Sequence, residues 1–194
     1  MPNWAFTDYV IEGPHETIAK IYEAILHHEV EPGSDESWEG NVLNALGIEW
    51  EGRKPDGSGL YMRGFIQEEP SIHENTLEFY AQEAWGATNF NEALEGAFPD
   101  IKVFYKVEEE GEEILATNDK EGKYFSERFY VDAAIDNQYD SEYFSTEEAM
   151  YQWISSKVSS LTTKEAVEKW NEVHEALCDE DENFIHIYTF AVID

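Results

Sequence analysis

The chain has 194 residues, 42% of them hydrophobic and 14% aromatic, and its 43 Asp and Glu against 12 Lys and Arg give a formal net charge of −31. That length supports one core hiding roughly 70% of the surface exposed by the unfolded chain, and the aromatic content sets it apart from disordered acidic chains. The charge argues against direct binding to nucleic acid or an anionic membrane, both of which need a basic footprint; cations and basic proteins are its natural attractants.

Residues 4–12 are aromatic and β-branched and stop at Gly13-Pro14, which predicts a first strand ending in a turn. From Pro14 onward Ile18, Ile21, Tyr22, Ile25 and Leu26 recur at helical spacing, with Glu16, Lys20, Glu23 and His27 on the other faces. Residues 30–59 carry Pro32-Gly33, Pro55-Asp56-Gly57 and Gly59 around the apolar patch of Trp38, Val42, Leu43 and Leu46, which reads as an insertion with one short helix. Residues 60–68 and 75–85 predict two strands of a hairpin joined at Pro70-Ser71, with Leu77, Phe79 and Ala81 on one face of the second.

Thr88 is the expected cap of a helix whose stripe is Phe90, Ala93, Leu94, Ala97 and Phe98, ended by Pro99. Ile101, Val103, Tyr105 and Val107 then alternate as in a strand. Residues 113–117 and 124–131 predict two further strands across a turn at 118–122, followed by an acidic aromatic loop. Ser145 with Glu148, and Thr162 with Glu165, form capping boxes ahead of two helices. Residues 184–193 close the chain as an apolar strand with little alternation, expected well covered inside the sheet.

The resulting fold class is α+β, in ferredoxin-like β-α-β-β-α-β order, with extra strands and a C-terminal α-α-β extension. One domain is expected over residues 1–194: a core of 1–131 carrying the 30–59 insertion, and an extension of 132–194 packed on it. The chain also resembles the YubB-type ferredoxin-like family of mobile-element and bacterial proteins, whose function is unknown. The likeness rests on Met1-Pro2-Asn3-Trp4, Gly13-Pro14, Ala84-Trp85, Phe98-Pro99-Asp100, Tyr105 and Glu109-Glu110-Gly111, and spans about residues 1–130. It implies a topology and no catalytic residue.

A single cysteine, Cys178, leaves no intrachain disulfide, Cys-based zinc site or iron–sulfur cluster and fits a reducing, cytoplasmic setting. No secretory signal or membrane span is expected. His174 and Cys178 stand four residues apart on one helix, but His174 shares the apolar side with Trp170 and Leu177, so packing is the better reading. The acidic run 179–183 starts like a calcium loop and then puts Phe184 where glycine is needed and Phe190 where glutamate is needed. No nucleophile elbow, phosphate loop or dinucleotide fingerprint is present, and no metal or organic cofactor is expected.

One pattern stands out. Glu165, Glu168, Glu172, Glu175 and Asp179 step by three and four along one helix and form a carboxylate stripe opposite the expected buried face of Ala166, Trp170, Val173 and Leu177. Like charges at this spacing repel. The stripe is the candidate partner-binding site of a non-enzymatic interaction protein docking a basic protein partner, as a nucleic-acid mimic would. Two alternatives stay open: an enzyme with a dispersed site, and a carbohydrate-binding module with tryptophans exposed on one plane.

Overall fold

The computed structural model describes residues 3–29, 35, 37–50, 62–67, 69–84, 89–109, 114–178 and 182–193, and they form an α+β structure. The chain divides into two compact units, residues 1–120 with 192–194, and residues 121–191. Residue 131, the expected end of the core, lies inside a strand.

The first unit is built on β1 (Trp4–Glu12), whose odd positions Ala5, Tyr9 and Ile11 are buried under helices. Its apolar alternation stops at Gly13, whose N–H donates to the carbonyl of Asn75. α1 (His15–Leu26) buries Ile18, Ile21, Ala24 and Ile25, and α2 (Glu39–Ala45) is the short helix of the insertion. Of the expected hairpin, β2 (Gly64–Ile66) is shorter than the sequence implied, and β4 (Thr76–Ala84) keeps its alternation. Ser71, read as a turn residue, instead starts β3 (Ser71–Ile72), which also pairs with β4. Trp85 and Thr88 lie outside the described residues, and Asn89 precedes the first turn of α3 (Phe90–Ala97).

β5 (Lys102–Glu109) and β6 (Ile114–Thr117) follow. The first sheet runs in the order β10-β6-β5-β1-β4-β2, where β10 (Ala191–Val192) is the last strand of the chain. β1 is antiparallel to both of its neighbours, β4 and β5. Helices α1, α2 and α3 pack on one face, over Ala5, Tyr9, Ile11, Leu77, Phe79 and Val103. Of these, each of Ile11, Leu77, Phe79 and Val103 contributes roughly 1.5–3 kcal/mol by its burial. At β5 the side chain of Asn118 replaces a strand: its Oδ1 accepts from Tyr105 N and its Nδ2 donates to Val103 O, both at 2.8 Å.

The second unit departs from the expected α-α-β extension. It opens with β7 (Phe129–Ile135), which begins later than the strand read at 124–131 and does not pair with β6. The segment read as an acidic aromatic loop is β8 (Gln138–Phe144), joined to β7 by Asp136 and Asn137, both at positive φ (52° and 62°). Two consecutive left-handed residues make the turn whose twist matches a hairpin. α4 (Glu147–Lys157) and α5 (Lys164–Leu177) are capped by Thr146 and Thr163, each one residue after the expected cap, accepting from Ala149 N and Ala166 N.

β9 (Phe184–Thr189) pairs with β7, giving the order β8-β7-β9. The final apolar segment is therefore an edge strand here, interrupted at Phe190, and not a central one. Val131, Ala133, Phe144 and Ile185 of this sheet pack under Met150, Ile154 and Val167. The side chain of Asn171 on α5 donates to Ile185 O at 2.8 Å and accepts from Ile185 N at 3.0 Å, occupying both backbone groups of one residue of β9.

Asn171→Ala should cost about 2 kcal/mol, from two lost hydrogen bonds at about 1 kcal/mol each. Asn171→Asp should recover little, because a carboxylate cannot donate to the Ile185 carbonyl. Urea melts of the three proteins check this, and an aspartate variant as stable as wild type would rule out the clamp.

Candidate functional site: the outer face of helix α5

α5 begins at the Thr163 cap and ends at Cys178, which takes the left-handed conformation (φ 58°) that closes helices. Glu165, Glu168, Glu172 and Glu175 are all exposed, and Asp179 lies outside the described residues. Lys164 stands 3.7 Å from Glu168, an exposed pair of the kind worth well under about 1 kcal/mol. Tyr151 on α4 faces the start of the stripe: partial burial, then the charges of Glu147, Glu168 and Glu165, push its hydroxyl above the ordinary tyrosine range. A groove of about 520 Å³ runs beside it, lined by Glu147, Tyr151, Ser155 and Thr163 among others.

The buried side of α5 is not the one the sequence implied. Val167 is its one buried side chain, flanked by half-buried Ala166, Trp170, Asn171 and His174. Val173 and Leu177 are 49% and 65% exposed. The Asn171 clamp explains the rotation, since a side chain bonded to the β9 backbone must face the sheet. The rings of Trp170 and His174 meet at a tilt of 53°, 4.2 Å between centroids, which makes His174 a packing residue. Cys178 is exposed and free, and no cluster of three or more His, Cys, Asp or Glu among the described residues could hold a metal.

Sequence reasoning missed a second feature, in the first unit. Glu39 and Glu83 are fully buried, and Tyr9 donates its hydroxyl to Glu83 Oε1 at 3.0 Å. Gly64 leaves the room: a Cβ there would collide with the Glu39 carboxyl group. The signal was available, because the alternation Leu77, Phe79, Ala81 continues onto Glu83. Burial, then the charges of Glu83 and Glu39, push the Tyr9 hydroxyl well above its ordinary value near 10.

Among the described residues, one hollow of about 380 Å³ lies against Asp140 and Trp153 and another of about 500 Å³ lies against Lys20 and Phe98; Tyr9 and Glu83 line neither of these nor the α4 groove. Trp38 and Trp50 pack on the first core and Trp153 and Trp170 on the second. Among the described residues no helix is long and apolar enough to cross a membrane. No family model, no curated protein and no solved structure matches the chain.

The folded chain holds the Tyr9 proton more tightly than the unfolded chain does, so this contribution to stability is complete below about pH 10 and falls as pH rises beyond it. Tyr9→Phe should cost roughly 1.5–3 kcal/mol near neutral pH, by removing a hydrogen bond to a buried carboxylate. It should then lose less stability than wild type above about pH 10. Urea melts at both pH values check the coupling, and parallel losses in the two proteins would refute it.

Proposed function

We propose that the chain is a non-enzymatic interaction protein that docks a basic protein partner through the outer face of α5, offering spaced carboxylates as a nucleic acid offers phosphates. The observation that carries this reading is that Glu165, Glu168, Glu172 and Glu175 are all exposed along one line of α5, at a spacing where like charges repel. The exposed Val173 and Leu177 stand on the other flank of the helix and take no part. The carboxylates supply long-range attraction to a basic surface.

The first unit is proposed to be a ferredoxin-like domain resembling the YubB-type family. Support comes from the antiparallel order β5-β1-β4-β2, with α1 between β1 and β2 and α3 between β4 and β5. The proposed setting is the cytoplasm, with which one free, exposed cysteine is compatible.

Changing Glu165, Glu168, Glu172 and Glu175 together to Gln should raise stability by roughly 0.2–0.5 kcal/mol per relieved pair and slow association with a captured basic partner, most strongly at low salt. Changing Val173 and Leu177, on the other flank of the helix, to Ser should leave association and dissociation rates nearly unchanged, with stability altered by less than about 0.5 kcal/mol. Stopped-flow kinetics paired with urea melts separate the two effects. Association unaltered by the Gln changes at low salt would remove α5 as the docking surface.

A further inference from the structure

The groove of about 520 Å³ is walled by α4 from Glu147 to Ser155 and by the start of α5 at Thr163 and Lys164, and its volume lies within the range of sites that hold small ligands. The uncharged polar side chains of Gln152, Ser155 and Thr163 are turned back on their own helices. The amide of Gln152 donates to Glu148 at 3.2 Å, the hydroxyl of Ser155 donates to the carbonyl of Gln152 at 3.0 Å, and the hydroxyl of Thr163 accepts from Ala166 N at 3.3 Å. The groups left to meet an occupant are chiefly the ring of Tyr151 and the carboxylates around it. Tyr151 is half-buried and packs against the second core, which holds the ring in place.

The charge around that ring comes from two helices. Glu147 stands one turn before Tyr151 on the same face of α4, and Glu165 and Glu168 of α5 act with Glu147 on the Tyr151 hydroxyl. Among the described residues Lys164 is the one cation lining the groove, and Glu168 stands 3.7 Å from it. The first turn of each helix adds about half a positive charge. Glu147, Glu148, Glu165 and Glu168 outweigh these positive contributions, so the groove carries a negative potential. That potential disfavours an anion, and it disfavours a second copy presenting the same face, since a two-fold contact sets carboxylates against carboxylates.

Lysine and arginine differ at such a site. An ammonium is compact and strongly hydrated, whereas a guanidinium is planar, weakly hydrated, stacks on aromatic faces and forks onto carboxylates. A half-buried ring flanked by carboxylates, in a groove whose other polar groups are engaged on their own helices, suits the guanidinium.

We propose that the groove between α4 and α5 seats one arginine side chain of a basic partner protein, its guanidinium over the Tyr151 ring and in reach of Glu147 and Glu165. The proposal rests on the reading of the chain as a binder of basic proteins and gives that contact an anchor. The exposed carboxylates of α5 draw the partner in, and the groove holds it, as a buried arginine does at the centre of many interfaces.

The test uses the full chain and five-residue peptides with a central arginine, lysine or citrulline between glycines; citrulline has the shape of arginine without its charge. It is run at about 0.1 M salt, where charges beyond about 10 Å are largely screened. In NMR titrations the arginine peptide should shift the Tyr151 ring and the amides of Ser155 and Lys164, the lysine peptide should bind at least about threefold more weakly, and the citrulline peptide should not bind. Tyr151→Phe keeps the ring and should bind like wild type, whereas Tyr151→Leu should weaken binding at least about threefold. Glu147→Gln with Glu165→Gln should weaken it about three- to tenfold. Glu172→Gln with Glu175→Gln, two turns and more along the helix, should leave it within about twofold. Urea melts check that each variant folds, and if Tyr151→Leu does not, the peptide comparison on wild type and the Glu147 and Glu165 changes carry the test. Equal binding of the arginine and citrulline peptides, or of the arginine and lysine peptides, would overturn the arginine seat. Shifts confined to the outer face of α5 and absent from Tyr151 would overturn the groove and leave the acidic docking surface standing. No shift anywhere on the chain would also overturn the groove, and the docking role of α5 would then rest on its own association kinetics. Shifts that grow with protein concentration alone would make a second copy the occupant and refute the proposal.

Discussion

The first unit depends on one constraint, that β1 is paired along both edges. Nine register pairs with β4 and seven with β5 leave no freedom in which residues face the helices. Strand periodicity then turns Ala5, Thr7, Tyr9 and Ile11 to one side, and α1, α2 and α3 close over them. The same register sets Glu83 opposite Ala5 and Gly64 opposite Glu83, so a carboxylate is carried into the interior by position alone. Burying a carboxyl group is costly unless it is hydrogen-bonded; the Tyr9 hydroxyl donates to Glu83, and the missing side chain at Gly64 makes room for the neighbouring Glu39.

In the second unit the sheet is small and the helices lie along one face, so polar and aromatic residues are free to accumulate elsewhere. Residues 121–191 carry sixteen Asp and Glu against five Lys and Arg. α5 is held by few apolar contacts: Val167 beneath it, Trp170 and His174 beside it, and the amide of Asn171 on the β9 backbone. Such a helix is oriented more by a polar clamp than by a broad apolar stripe, and that orientation leaves Val173 and Leu177 in water on the flank away from the carboxylates.

Much of the first unit was legible in the sequence because its strands and helices bury one face and so carry clear periods. β1 matches its expected bounds, the stripe of α1 holds Ile18, Ile21 and Ile25 as periodicity selected, and that of α3 holds Phe90, Ala93 and Leu94 but leaves Ala97 exposed. β8 was not legible: its residues are exposed on both faces up to Phe144, so QYDSEYF has no apolar alternation, and its turn uses Asp136-Asn137 without glycine. The caps of α4 and α5 were missed by one residue because Ser145-Thr146 and Thr162-Thr163 each offer two adjacent hydroxyls. The glutamate pattern pointed to the first of each pair, and the extended backbone of Thr146 and Thr163 decided for the second. The carboxylates of α5 were readable as exposed, but its apolar face was not, since the inward turn of Asn171 depends on a strand fourteen residues away. Membership of β6 and β7 in different sheets is likewise a long-range fact that local pattern does not encode.

The Asn171 clamp also separates two histories within one helix. The groups that fix α5 on its sheet are an amide and a few side chains on the inner side, while the outer side holds no contact on which the packing depends. Substitutions there can accumulate with little penalty to folding, so the surface offered to a partner can be rewritten residue by residue. Drift between lineages would then alter whom the helix meets long before it altered the helix itself.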